Sequence, residues 1–248
     1  ILGNTIEKII TDKAGIIKPN QIVISGVTQP SAKKIVADKA QKTGAKLLQY
    51  NQDFQIIPNL EIGMLGDFQQ VNAACAVEAV QAFSNQKVTD QQIKTGIEKA
   101  KIPGRMEIIQ ENPLVILDGA HNQDKMTALV TSLKKKYPDK KWLTVVAFKE
   151  DKDADEMLRI LAQNSETIIA TEFHGTPLWG SYKVEEIEKK ITIQNPSIEV
   201  LLNSNPIEAV NKALELAKNK ENTLVLVTGS LYLIGNVRKY WYPIEELL

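Results

Sequence analysis

The sequence predicts an α/β protein with a mostly parallel sheet, and three observations carry the prediction. Short apolar runs alternate with amphipathic stretches along most of the chain, the pattern that strand–helix–strand crossovers produce. The runs 114–117 (LVIL) and 223–228 (TLVLVT) are apolar with little alternation, as strands covered on both faces require. The first of them stops abruptly at Asp118-Gly119-Ala120-His121-Asn122, leaving turn-forming small residues, an acid and an imidazole at a strand's carboxyl end. In open α/β sheets ligands bind just outside that end.

Bulk composition narrows the function. A chain of 248 residues is long enough for one large domain or two ordinary ones. With 43% hydrophobic and 24% charged residues it has the make-up of a soluble globular protein. Thirty basic and thirty acidic residues cancel, which leaves no global field to attract nucleic acid or an anionic membrane. No apolar run approaches the ~20 residues of a bilayer span, and the opening residues do not read as a signal peptide. Cys75 is the only cysteine, so an intramolecular disulfide is excluded and a reducing cytoplasm is expected. The chain opens within a helical pattern and without an initiator Met, so a fragment of a longer protein is expected.

Taken in order, residues 1–13 place Leu2, Ile6, Ile9 and Ile10 at helical spacing, with Gly15 as the C′ residue and Pro19 blocking continuation. Strand 21–25, helix 31–43 and strand 45–50 form a βαβ unit. Residues 51–63 read as sheet-edge or hairpin material interrupted by Pro58. A long Ala-rich helix spans 66–83, with Asp67 as N-cap and Val71, Ala74, Cys75, Val77, Ala79 and Val80 for packing. Another helix runs from Thr89 to about Lys101. Ile102-Pro103-Gly104-Arg105 is a turn or linker, and the domain boundary is placed there, between 1–102 and 103–248. Beyond it, strands are expected at 106–110, 114–117, 142–148, 167–171, 198–202 and 223–228, with helices at 127–136, 154–162, 184–190, 206–218 and 231–240. That alternation makes the second domain Rossmann-like.

Familiar nucleotide and hydrolase signatures are missing. The chain has no Gly-x-x-x-x-Gly-Lys-Ser/Thr loop, no Gly-x-Gly-x-x-Gly, no HExxH or CxxC, and no Gly-x-Ser-x-Gly elbow. Of its two histidines, His174 stands in a Gly- and Pro-flanked loop where a solvated role is as good a reading as a functional one. Single motifs also have ordinary explanations. Asp118 and Asn122 fit a turn and an N-cap, Ser230 fits an N-cap, and Lys13 suits the end of a helix.

Their order along the chain is more specific. DKAGIIK (12–18), G-x-x-Q-x-x-N-A (66–73), PGR (103–105), VILDGAHN (115–122), DKD-x-x-x-ML (151–158) and VTGSLYLIG-x-VR (227–238) occur in succession. This set resembles the dihydrofolate synthase/folylpolyglutamate synthase family, a branch of the Mur-ligase superfamily, along essentially the whole chain. Asp12 stands where the family more usually has Glu. The resemblance implies a partial Mur-ligase-type ATPase domain over 1–102, its carboxyl-terminal part, followed by a Rossmann-like glutamate-ligase domain over 103–248. It also implies an ATP- and Mg-dependent reaction in which a folate or dihydropteroate carboxylate becomes an acyl phosphate that L-glutamate attacks.

Site residues follow from the same resemblance. Lys13 matches a lysine that is carbamylated to become a magnesium ligand, an oxygen donor of the kind hard cations prefer. Asn72 matches the asparagine that reads adenine, with Gln69 one turn before it. Arg105 matches a phosphate contact, and its fork of donors suits the role. Asp118 resembles an ATP-contacting acid at the ribose, His121 the residue approaching the γ-phosphate and acyl phosphate, and Ser230 a contact for the incoming glutamate. The phosphate loop of such enzymes is missing from the sequence, so the chain is expected to be inactive alone. A monomer in the cytoplasm is expected, without nucleic-acid or membrane partners. Two other readings remain: a Mur-type cell-wall amino-acid ligase, and a non-catalytic Rossmann-like binding module.

Overall fold

The apolar runs at 114–117 and 223–228 lie side by side as parallel strands, paired from Leu114↔Leu224 to Leu117↔Val227. This arrangement comes from a computed structural model, which describes residues 5–85, 87–175, 179–218 and 220–243. The chain divides into two units, Ile1–Gly63 with Asp67–Ala100, and Met64–Gly66 with Lys101–Leu248.

The first unit contains α1 (Ile6–Ala14), β1 (Ile22–Ser25), α2 (Pro30–Thr43), β2 (Lys46–Gln49), α3 (Phe68–Ser84) and α4 (Asp90–Lys99). Strands β1 and β2 pair in parallel around the α2 crossover, the expected βαβ unit. A small core of Ala14, Ile17 and Val36 gathers Ile10, Val23, Ile35 and Leu47 against it. Thr5 accepts from Lys8 N and opens α1; Leu2, counted in the sequence pattern, lies outside the described residues. Thr89 and Gln92 form a capping box at the start of α4.

Several details differ from expectation. Gly15 ends α1 with φ −58°, so it is not a left-handed C′ glycine. Over 51–63 the described residues form no strand, only an isolated Tyr50↔Phe54 bridge. Asn51 and Asn59 take left-handed φ of 64° and 59° there and turn the chain instead of extending it. On α3 the buried stripe is Gln69, Ala73, Ala74 and Val77, while Val80 is 45% exposed and Ala79 is exposed too. The helix is Ala-rich all round, so apolar spacing alone did not select its packed face.

The second unit runs β3 (Glu107–Glu111), β4 (Leu114–Leu117), α5 (Gln123–Lys136), β5 (Lys141–Val146), α6 (Asp155–Ala162) and β6 (Thr167–Ala170). It continues with α7 (Val184–Gln194), β7 (Glu199–Leu202), α8 (Pro206–Lys218), β8 (Thr223–Thr228) and α9 (Leu231–Arg238). Among the described residues these strands make one six-stranded sheet in the order β3-β4-β8-β5-β6-β7. Only the edge strand β3 is antiparallel, pairing with β4, and the remaining pairs are parallel. The core packs Val115, Leu117, Leu143, Val145, Val225 and Val227 under α8 and α9. Each such side chain contributes roughly 1.5–3 kcal/mol when fully buried. The last strand, β8, enters between β4 and β5, so the carboxyl ends of all three open side by side.

Helix α5 starts at Gln123, four residues before the expected Thr127, because Asn122 caps it by accepting from Lys125 N at 2.9 Å. That early start brings His121 to the helix's threshold.

Candidate functional site

At the end of β4, Asp118 is 5% exposed and continues the sheet by donating its N–H to Val227 O at 3.0 Å. Its two carboxylate oxygens are both engaged. Oδ2 accepts from Met106 N and Oδ1 from Ala120 N, each at 2.8 Å. Gly119 N donates to Gly104 O at 2.9 Å, so the turn bearing Arg105 is laced to the strand end by backbone as well. Burial raises the Asp118 pKa; the two N–H bonds, Arg105 and Lys125 act against that rise.

Small residues make the lacing possible. A Cβ on Gly119 would run into the Leu231 side chain and stand 3.2 Å from Arg105 Nη1. Gly229, at φ 104°, would drive a Cβ into the Ala147 carbonyl. Gly104, at φ 67°, turns the chain back with its N–H donating to Glu107 Oε2 at 2.9 Å. Glu107 in turn receives both Nε and Nη2 of Arg238 at 3.0–3.2 Å, a forked ion pair that ties α9 to the same turn.

His121 sits half-buried with Nδ1 2.8 Å from Gly119 O and Nε2 3.3 Å from Lys125 Nζ. A carbonyl oxygen only accepts, so Nδ1 carries the proton. Burial lowers the His121 pKa; the Gly119 bond opposes this, and the charges of Lys125, Arg105 and Lys152 add to the lowering. Burial, then Arg105, also lowers the Lys125 pKa, with Asp118 pulling the other way. Cations from three segments therefore reach His121: Arg105 from the turn before β3, Lys125 from α5 and Lys152 from the loop after β5. A lysine in a helix's first turn is unfavourable to the macrodipole, and here it is placed among like charges.

Ser230 is 4% exposed and caps α9, its Oγ accepting from Tyr232 N at 3.1 Å. It enters the same rim through its neighbour Leu231, which packs beside Gly104 and Gly119. The second unit thus brings Arg105, Asp118, His121 and Ser230 to adjoining strand ends.

The other residues belong to the first unit. Lys13 is exposed in the last turn of α1, and Asp12 O accepts from Gly15 N at 3.0 Å. On α3, Asn72 is exposed and donates from Nδ2 to the buried Gln69 Oε1 at 2.8 Å, so the amide pair is already oriented. Among the described residues there is no group of three or more His, Cys, Asp or Glu side chains able to hold a metal. No helix among them is long and apolar enough to cross a membrane.

The sequence reading missed Lys125 and Lys152. The former had a visible signal, a lysine four residues after the histidine and three after its capping asparagine. The latter sits in the DKD segment, where its own spacing shows nothing.

Comparison with known proteins adds a lineage. Residues 99–240 match the family model described as dihydrofolate synthetase, C-terminal domain. A Bacillus subtilis dihydrofolate synthase/folylpolyglutamate synthase is 28% identical over 265 residues, covering 96% of this chain and 59% of its own. A Lacticaseibacillus casei folylpolyglutamate synthase is 30% identical, covering 96% and 58%. Among solved structures, Escherichia coli FolC in complex with DHPP and ADP superposes with a TM-score of 0.82 at 26% identity, covering 96% of this chain and 57% of that one. The chain spans about three-fifths of the length of the relatives it matches.

Proposed function

The chain belongs to the family of the dihydrofolate synthetase carboxyl-terminal domain, and from that premise we propose that it forms part of an ATP- and magnesium-dependent ligase. The reaction adds L-glutamate to dihydropteroate or a folate. The substrate carboxylate takes the γ-phosphoryl group of ATP with release of ADP; the glutamate amine then attacks the acyl carbon and inorganic phosphate leaves. Residues 1–102 are read as the carboxyl-terminal part of the ATP-binding domain, and 103–248 as the Rossmann-like ligase domain.

One observation carries the reading. At the end of β4 the charges of Lys125, Arg105 and Lys152 act together on His121, while Asp118 has both oxygens committed to backbone N–H groups. Such a rim gains stability from an oxyanion. Phosphoryl transfer depends chiefly on positioning and on neutralising charge, which fixed donors supply without reorganising. Arg105 is assigned to a phosphate. Asp118 holds the Arg105 turn in place and, through its remaining lone pairs, is assigned to the ribose. Ser230 is assigned to the glutamate, and Asn72, oriented by Gln69, to the adenine edge.

Lys13 as a carbamate would offer magnesium one anionic oxygen. The described residues do not complete a ligand set around it, so no step here runs through the metal. The 248 residues also contain no phosphate-binding Gly-Lys-Ser/Thr loop, and alone they are expected not to turn over. The polypeptide is read as a monomer, which light scattering on the purified chain tests.

The decisive assay follows ADP release from ATP, magnesium, L-glutamate and dihydropteroate or a folate. In a Bacillus subtilis relative whose matching segment is replaced by this chain, release should require glutamate and the pterin acceptor together. Residues 1–248 by themselves should give none. Steady, all-substrate-dependent release by residues 1–248 would overturn the assignment of inactivity. A folded chimera that releases ADP without regard to glutamate would overturn the ligase reading.

A further inference from the structure

His121 is a residue whose protonation state the surrounding atoms define. Its Nδ1 faces the Gly119 carbonyl at 2.8 Å, a group that can only accept. Its Nε2 faces the Lys125 ammonium at 3.3 Å, a group that can only donate while protonated. Only one state of the ring satisfies both: neutral, protonated at Nδ1, with a bare lone pair on Nε2. An imidazolium would set an N–H of Nε2 against the ammonium.

We infer that Lys125 is a positioning residue for His121, holding the ring neutral with Nε2 as a hydrogen-bond acceptor. The charges of Lys125, Arg105 and Lys152 all oppose a positive ring. Asp118, three residues before the histidine, directs both oxygens at backbone N–H groups. A histidine in this state has no proton to offer a phosphate oxygen. The donors to an oxyanion are then Lys125 and Arg105, while the single lone pair of Nε2 is taken up by Lys125. On the ligase reading, that lone pair receives an N–H of the incoming amino group once an oxyanion has drawn the Lys125 ammonium off the ring. This last consequence rests on the proposed function, whereas the state of the ring rests on geometry alone.

The chain has two histidines, so its ring nitrogens are resolvable by long-range ¹H–¹⁵N correlation on the intact 248-residue protein, with His174→Gln providing the assignment. His121 should show the Nδ1–H tautomer and should protonate below the ordinary histidine value of about 6.5. Lys125→Met should raise the His121 midpoint, and Lys125→Arg, which keeps a donor and a charge, should leave it low. A merely structural lysine would move neither tautomer nor midpoint. The inference fails if wild-type His121 shows the Nε2–H tautomer, or if Lys125→Met leaves the midpoint where it was. Lys125 is exposed, so this variant should fold, and unchanged His174 signals report that it has. None of these readouts involves nucleotide or turnover, so the ligase reading can fail while this inference stands, and the reverse.

Discussion

Met106 and Asp118 are joined across the turn before β3 by a 2.8 Å bond from the Met106 N–H to the carboxylate. Met106 is 2% exposed and holds φ at 45°, a left-handed conformation that costs a non-glycine residue about 1–3 kcal/mol. The bond is part of what keeps it there. The consequence is positional: Arg105, one residue earlier, is fixed to the end of β4 by a buried carboxylate just beyond that strand rather than by its own loop alone.

Removing that anchor should be expensive. Asp118→Ala orphans two buried N–H groups, those of Met106 and Ala120, and should destabilise the protein by about 2–5 kcal/mol in denaturant unfolding. Asp118→Asn keeps one acceptor and should lose less. A loss below ~1 kcal/mol for the alanine variant would mean that the carboxylate is not the anchor.

Glu107 has two duties, and they can be separated. It accepts from the buried Gly104 N–H and forms the fork with Arg238. Glu107→Ala should therefore cost more than Arg238→Ala, by about 1–3 kcal/mol, the penalty of an unsatisfied buried donor. Equal losses would leave the Gly104 bond without weight.

Gly119 is required by its neighbours rather than by its own backbone angles. Gly119→Ala pushes a methyl group into Leu231 and should cost about 1–3 kcal/mol. Leu231→Ala in the same molecule should return part of it, a coupling that a double-mutant cycle measures. Strictly additive losses would contradict the contact.

Histidine 121 should also give stability a pH dependence of definite sign. Its folded pKa lies below the ordinary value of about 6.5, so the unfolded chain binds more protons there. Stability is then fully present above that value and is lost as pH falls through it toward the lowered folded value. Relative to His121→Gln, the wild type should lose stability over that window. A parallel pair of stability–pH curves would remove the claim.

Much of this was legible in the sequence, for identifiable reasons. The LVIL and TLVLVT runs read correctly as buried parallel strands because strands covered on both faces need no alternation. The strand-end position of Asp118 and His121 follows from that alone. What the sequence hid was long-range. No spacing rule joins Met106 to Asp118 or Glu107 to Arg238, 131 residues apart. The start of α5 was misplaced because its first turn, Gln123-Asp124-Lys125, is polar, whereas periodicity detects a helix only where its apolar face begins. The same error concealed Lys125. On α3 the abundance of alanine erased the contrast between faces, and Val80 was assigned to the interior in error.

The central claim, that an oxyanion of a nucleotide is received at the end of β4, is most directly tested by titrating the isotopically labelled 248-residue chain with ADP. Resonances of Gly104, Arg105, Gly119, His121 and Lys125 should shift with dose, and Arg105→Ala should suppress the shifts. Dose-dependent changes centred elsewhere in the chain, or shifts at these residues that persist in Arg105→Ala, would contradict it.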